Sequence, residues 1–102
     1  MHFLVLAWDK TDDDGVARRD AARSAHTQTI TALFEAGSVV LGAGILDEEG
    51  VVRGSLIVTD HPDRAAVDAY LATEPFQAAG VWETVEVHPL RVPDMYLDAL
   101  KG

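Results

Sequence analysis

Residues 38–59 read SVVLGAGIL, then DEEG, then VVRGSLIVT: two β-rich runs on either side of Asp47-Glu48-Glu49-Gly50. Side chains branched at Cβ suit a pleated backbone, and an acidic run ending in glycine has the composition of a hairpin connection. Ser38–Leu46 and Val51–Thr59 are therefore expected to pair as antiparallel neighbours in the middle of the chain.

Toward the N-terminus the period changes. From about Val16 to Ala36, the residues Ala22, His26, Ile30, Leu33 and Phe34 fall on one helical stripe, while Arg18, Arg19, Arg23, Gln28 and Glu35 lie mostly off it. Gly37 is placed to stop that helix just past its C-cap. Ahead of it, Asp9–Gly15 (DKTDDDG) has loop composition, and one of Asp12, Asp13 and Asp14 is a candidate cap. His2–Trp8 (HFLVLAW) reads as a strand with Phe3, Val5 and Ala7 on one side and Leu4, Leu6 and Trp8 on the other.

Toward the C-terminus, His61-Pro62-Asp63 begins a second helix whose apolar stripe is Ala66, Val67, Tyr70 and Leu71. Glu74-Pro75-Phe76 breaks it, a short irregular stretch ends at Gly80, and Val81–Val87 alternates as a last strand closed by His88-Pro89. Residues 93–102 form a tail, with Met95–Leu100 a candidate small helix.

The order β-α-β-β-α-β predicts an α+β fold of the ferredoxin-like kind, with an antiparallel sheet and one domain over residues 1–102. Two helices cover one face of four strands, and a sheet with one wet face carries polar residues at alternate positions. FLVLAW and VVLGAGIL are instead apolar on both sides, and no further element is left to cover them. A homodimer through the open sheet face is expected.

Composition narrows the function classes. At 102 residues, 48% hydrophobic and 25% charged, the chain has the makeup of a single globular domain. Seventeen acidic residues against eight Lys and Arg give a formal charge of −9, which repels nucleic acid and anionic membrane and argues mildly against highly anionic substrates. There is no cysteine, so disulfides and thiolate chemistry are excluded. No apolar run approaches the roughly 20 residues of a membrane span. MHFLVLAWDK lacks the basic start and small-residue cleavage site of a signal peptide, so a cytoplasmic protein is expected.

His26 carries the most chemical information. It sits on the apolar stripe of the first helix and points toward the sheet, where an imidazole serves either as a histidine satisfied by a backbone carbonyl or as a general acid/base. A histidine base works better beside a carboxylate that orients it. Asp9, at the end of the first strand, is the first candidate; Asp12, Asp13, Asp14 and Glu74 are the others. Gly54-Ser55, and likewise Gly42 and Gly44, mark either a pocket lining or a close approach of backbones. Phe76 is either a pocket wall or helix-end core. His2, His61 and His88 have no metal-ligand spacing, so no metal site is expected; no G-x-S-x-G hydrolase elbow and no phosphate loop is present.

In order and spacing, these pieces resemble the YCII-related (YciI-like) family of small dimeric α/β-barrel proteins nearly end to end. The matching elements are Ala7-Trp8-Asp9-Lys10, Arg23 to His26 as R-x-x-H, Gly37, Ala43-Gly44, Gly54-Ser55, Glu74-Pro75-Phe76, Ala79-Gly80-Val81, and a V-x-P ending at Pro89. The resemblance implies a ferredoxin-like protomer packed sheet to sheet with its copy, a His–Asp acid/base pair assigned to His26 and Asp9, and a pocket lined by Ser55, Glu74, Pro75, Phe76 and Gly44. Some relatives act as lyases or dehydrochlorinases. The chain departs from the family in carrying Glu74 where Asp usually precedes the Pro-aromatic step, and Ile45 where Pro usually follows Gly44.

Two function classes follow. One is an enzyme without a cofactor, using a His–Asp pair on a small organic molecule in a lyase-, dehydrochlorinase- or isomerase-like reaction. The alternative is a dimer that binds a small ligand without transforming it, or regulates through it. A purely structural interaction module ranks third.

Overall fold

The central hairpin is stabilised by its turn. In the computed structural model, which describes residues 1–100, β2 (Val39–Leu46) and β3 (Val52–Asp60) pair antiparallel. Between them Asp47 Oδ1 accepts from the backbone N–H of Glu49 and of Val51, at 2.9 and 3.0 Å, and the Gly50 N–H donates to the Asp47 carbonyl at 3.0 Å. The Arg53 guanidinium closes on the other oxygen of the same carboxylate, 2.9 Å from Oδ2. β1 (His2–Asp9) lies beside β3 and β4 (Trp82–Leu90) beside β1, so the sheet order is β2-β3-β1-β4 with every neighbour antiparallel. This is the expected α+β, ferredoxin-like arrangement.

Helix α1 (Gly15–Glu35) returns the chain from β1 to β2. It ends as the Gly37 reading requires. The Ser38 N–H donates to the Leu33 carbonyl at 2.8 Å and the Gly37 N–H to Phe34 at 3.1 Å, with Gly37 at φ 83°, a paired closure that only a residue tolerating positive φ completes without strain. The start differs from expectation. Asp14 occupies the cap position without a side-chain bond, because the Asp12 carboxylate binds Arg18 at 3.0 and 2.7 Å instead of the helix end. Phe34, placed on the apolar stripe, is exposed.

Helix α2 (Arg64–Thr73) is capped by Asp63, whose Oδ1 accepts from the Ala66 N–H at 2.9 Å. The stretch after it, expected to be irregular, contains a one-turn helix α3 (Pro75–Ala78), because proline presets the first helical φ. β4 also runs past the expected stop to Leu90. Pro89 is tolerated there because β4 is an edge strand and needs no donor on its outer side. A final helix α4 covers Asp94–Leu100; positions 101 and 102 of the expected tail lie outside the described residues. Among the described residues no helix is long and apolar enough to cross a membrane.

The core fills the space between helices and sheet with Phe3, Val5, Ala7, Val39, Ile57, Val67, Phe76, Val81 and Trp82. At roughly 1.5–3 kcal/mol for each large side chain removed from water, this layer supplies most of the cohesion. The opposite face takes no part in this core; on it Val58 is buried, while Trp8 and Leu41 are exposed. Leu4, Leu6 and Trp8 of β1 lie across from Val58, Leu56 and Gly54 of β3, and β2 adds Leu41, Ala43 and Ile45. Gly54 is a close approach: a Cβ there would sit 2.6 Å from the Ala7 carbonyl oxygen and 3.0 Å from the Trp8 ring. This face turns polar along β4, at Thr84, Glu86 and His88, and at the strand end where His2 pairs with Asp60.

Candidate active site

β1 delivers an acid to the buried face. Side chains alternate along a strand, so Asp9 follows Phe3, Val5 and Ala7 inward, and a register shift against β4 at Trp8/Asp9 marks where the strand bends. Buried this way, a carboxylate requires a partner. That partner is Arg19, itself buried, whose Nη1 donates to both Asp9 oxygens at 2.8 and 2.9 Å. Its Nη2 donates to Ser55 Oγ at 2.9 Å, joining β1, α1 and β3 in one network.

Seven residues further along α1, two helical turns and therefore the same face, stands His26. Its Nδ1 lies 2.5 Å from Oε1 of Glu74, a residue with 0% exposure. Local sequence explains how a carboxylate reaches so deep. Pro75 holds the preceding residue extended (φ −63°, ψ 125°), which ends α2 and turns the Glu74 side chain under α1. Glu74 Oε1 also accepts from the Phe76 N–H at 3.3 Å, and Oε2 accepts from the Tyr70 hydroxyl one turn back on α2. Burial, then the hydrogen bond to Glu74 and its charge, push the Tyr70 hydroxyl far above the usual phenol range, so it stays a donor.

Phe76 braces both units. The His26 ring stacks on it with centroids 4.0 Å apart and planes 15° from parallel, and the Arg19 guanidinium carbon lies 4.4 Å from the centre of the same ring.

Between α1 and the hairpin is a cavity of about 290 Å³. Arg19, Arg23, His26, Thr27, Ile30 and Thr31 line it from the helix; Gly42, Gly44, Val52, Ser55 and Ile57 from the hairpin; Phe76 completes the wall. It exists because two positions of β2 that face α1 carry no side chain. A Cβ on Gly42 would already touch Ile30, and one on Gly44 would press on Val52 at 3.2 Å. The close approach in this region belongs to Gly54, whereas Gly44 and Ser55 line the cavity.

The expected pairing is thus corrected: the carboxylate on His26 is Glu74, and Asp9 is committed to Arg19. The extra methylene of Glu74 relative to the Asp of the family pattern does not break the contact. Ser55, Phe76 and Gly44 lie on the cavity wall, while Pro75 shapes the turn behind it. Arg19 and Arg23, which lie off the apolar stripe, both line the cavity, Arg19 buried and Arg23 exposed; their spacing from His26, seven and three residues, is the signal that finds them. Asp12, Asp13 and Asp14 are exposed. Among the described residues no group of three or more His, Asp or Glu is arranged to hold a metal ion.

A carboxylate on Nδ1 holds the ring proton there and leaves Nε2 as the free nitrogen of an imidazole that lines the cavity. Such a nitrogen can take a proton from a bound molecule and return it, with Glu74 steadying the imidazolium in between.

Known proteins share this architecture. The model of the YCII-related domain matches residues 1–91. Protein YciI of Escherichia coli O6:H1 is 29% identical over 98 residues, 89% of this chain and 97% of that protein, and protein YciI of Shigella flexneri matches equally. Among solved structures, 5-chloro-2-hydroxyhydroquinone dehydrochlorinase from Burkholderia phenoliruptrix AC1100, in complex with 2,5-dihydroxybenzoquinone, superposes with a TM-score of 0.80 at 18% identity, covering 93% of this chain and 98% of that one. A dimeric ferredoxin-like protein of unknown function from Jannaschia sp. CCS1 superposes at 0.51 with 17% identity over 89% of this chain and 98% of its own. At these identities the structural likenesses establish the fold.

Proposed function

The chain belongs to the YCII-related family, and on that premise we propose that it catalyses proton transfer on a small organic molecule held in the α1–hairpin cavity, with His26 as acid/base and Glu74 as the group that orients it. The contact between His26 Nδ1 and Glu74 Oε1 carries this reading, because it leaves one ring nitrogen unspent at the cavity. The reaction class is elimination or isomerisation. His26 Nε2 takes a proton from carbon, the electron pair left behind forms the new double bond, and either a leaving group departs with its own pair or the proton returns elsewhere on the molecule. The likeness to a dehydrochlorinase supports the elimination branch. Asp9 acts through Arg19 as a positioning residue, keeping α1 and β3 in register beneath the cavity.

The test is turnover of a panel of chlorinated and unchlorinated hydroxyquinols and cyclic enones, followed by chloride release and ultraviolet absorbance. At least one is turned over by the wild type, and His26→Gln lowers kcat about 10²–10⁴-fold with the circular dichroism spectrum unchanged. Equal turnover in His26→Gln ends the catalytic reading. Binding without turnover in the wild type leaves a cavity that holds its ligand unchanged.

We further propose that the sheet face opposite the core meets the same face of a second copy. Apolar side chains on three of the four strands, bounded by the polar row of β4, support this, as does a dimeric protein of the same fold. Leu6→Lys converts a sedimenting dimer to a monomer; an unchanged sedimentation coefficient rules this face out.

A further inference from the structure

The charges on the cavity wall do not balance. Arg19 is neutralised by Asp9, bound through one nitrogen to both oxygens. His26, when it carries a proton on each nitrogen, is matched by Glu74. Arg23 lines the same cavity and has neither an ion pair nor a side-chain hydrogen bond among the described residues. A guanidinium is charged throughout the working pH range. Arg23 is exposed to solvent as well as lining the cavity, so one positive charge without a protein partner among the described residues is available there, in a chain whose formal charge is −9.

The geometry points to Arg23 as the anchor for a single negative charge on the bound molecule, and to a flat mono-anion, a carboxylate or ionised hydroxyl on a planar ring, as the ligand class. This rests on the reading that the cavity holds the reacting molecule, and it names what that molecule must carry.

Three observations shape the ligand. First, Gly42 and Gly44 add no side chain to the wall, so the space accepts a flat body lying against bare strand backbone. Second, a cavity of about 290 Å³ has room for one small ring with its substituents. Third, Arg23 precedes His26 by three residues on α1, a rise of about 4.5 Å along the axis. Arg23 and His26 are thus neighbours on one helix face and can meet two parts of one small molecule. The formal charge of −9 adds a limit: one negative charge is met by Arg23, whereas a second would meet the repulsion of the whole protein.

The test compares benzoate with benzamide, nearly identical in shape but differing by one charge, by isothermal titration on the wild type, Arg23→Gln, Arg23→Lys and His26→Gln. The wild type binds benzoate at least about tenfold more tightly than benzamide. Arg23→Gln abolishes the difference, and Arg23→Lys keeps part of it, since an ammonium supplies the charge without the planar fork. His26→Gln keeps the preference, which separates this inference from the catalytic one: loss of turnover in His26→Gln with the benzoate preference intact supports both, and absence of turnover in the wild type with an Arg23-dependent preference leaves the anchor standing alone. No detectable benzoate binding, equal binding of the two probes, or a preference that survives Arg23→Gln overturns it.

Discussion

Two buried carboxylates, Asp9 and Glu74, each meet a basic side chain of α1, and the two meetings are built differently. Asp9 is closed on both sides. Its two oxygens take one Arg19 nitrogen and a second nitrogen goes to Ser55, so the carboxylate and the guanidinium neutralise each other inside the protein. Glu74 is closed on one side only. It accepts from Tyr70 and from the Phe76 backbone, and through His26 it ends at a ring nitrogen with no hydrogen-bond partner among the described residues. An arginine cannot give up its proton in this setting, so an Asp–Arg unit holds structure; an imidazole exchanges its proton near neutrality, so a Glu–His unit can do chemistry. The same helix face, two turns apart, thus carries a lock and, under the proposed function, a proton relay, with Phe76 packed on both.

The largest expected consequence of this difference concerns stability. Asp9→Asn leaves the buried Arg19 charge without its counterion, and breaking such a pair from one side costs about 3–5 kcal/mol. Urea unfolding should show a loss of that size, while Glu74→Gln, which keeps the side-chain shape and an acceptor for His26, loses far less. If the two variants unfold at the same denaturant concentration, the distinction between lock and relay is wrong.

Why the sequence suggested Asp9 for the relay is instructive. Hydrophobic periodicity identifies His26 because an imidazole among Ala22, Ile30 and Leu33 stands out, and strand alternation places Asp9 inward with Phe3, Val5 and Ala7. The same method leaves Arg19 off the apolar stripe, since it scores side chains by polarity and cannot register that an arginine is buried when a carboxylate meets it. With Arg19 removed from view, Asp9 looks free. Glu74 was within reach as a candidate, but its depth depends on the bend at Pro75, a tertiary consequence that no spacing rule expresses. The fold was more legible because its signals are local: the acidic turn at 47–50, Gly37 past the helix end, and the switch of period between them. The one-turn helix at Pro75–Ala78 and the three further residues of β4 were missed, since both are decided by neighbours.

A smaller effect tests the far end of the relay. Tyr70→Phe deprives Glu74 Oε2 of its donor in a fully buried setting, at a cost of about 1–3 kcal/mol at neutral pH. The variant also changes the alkaline behaviour. A hydroxyl whose folded value lies above its unfolded value of 10.0 contributes stability that is complete below pH 10 and is lost as the pH rises beyond it. The wild type therefore loses stability progressively above about pH 10, and Tyr70→Phe, with nothing to ionise there, loses less over the same range. Parallel alkaline profiles for the two proteins would place the Tyr70 hydroxyl in water instead of on Glu74.

The smallest effect comes from the other side of Tyr70, where His61 stacks with centroids 6.2 Å apart and planes at 19°. Burial pushes the His61 imidazole below its usual 6.5, against the opposing pull of Asp60, and its Nδ1 is buried without a partner. The sign is opposite to that of Tyr70. A base whose folded value is depressed contributes stability that is present above the unfolded value and is lost as the pH falls below it, because the unfolded chain takes up the proton first. The wild type should weaken as the pH drops through the region just below 6.5, and His61→Gln should flatten that slope by less than Tyr70→Phe changes the alkaline one. Urea unfolding followed across the acid limb checks this, and a slope as steep in His61→Gln as in the wild type would remove His61 from that role.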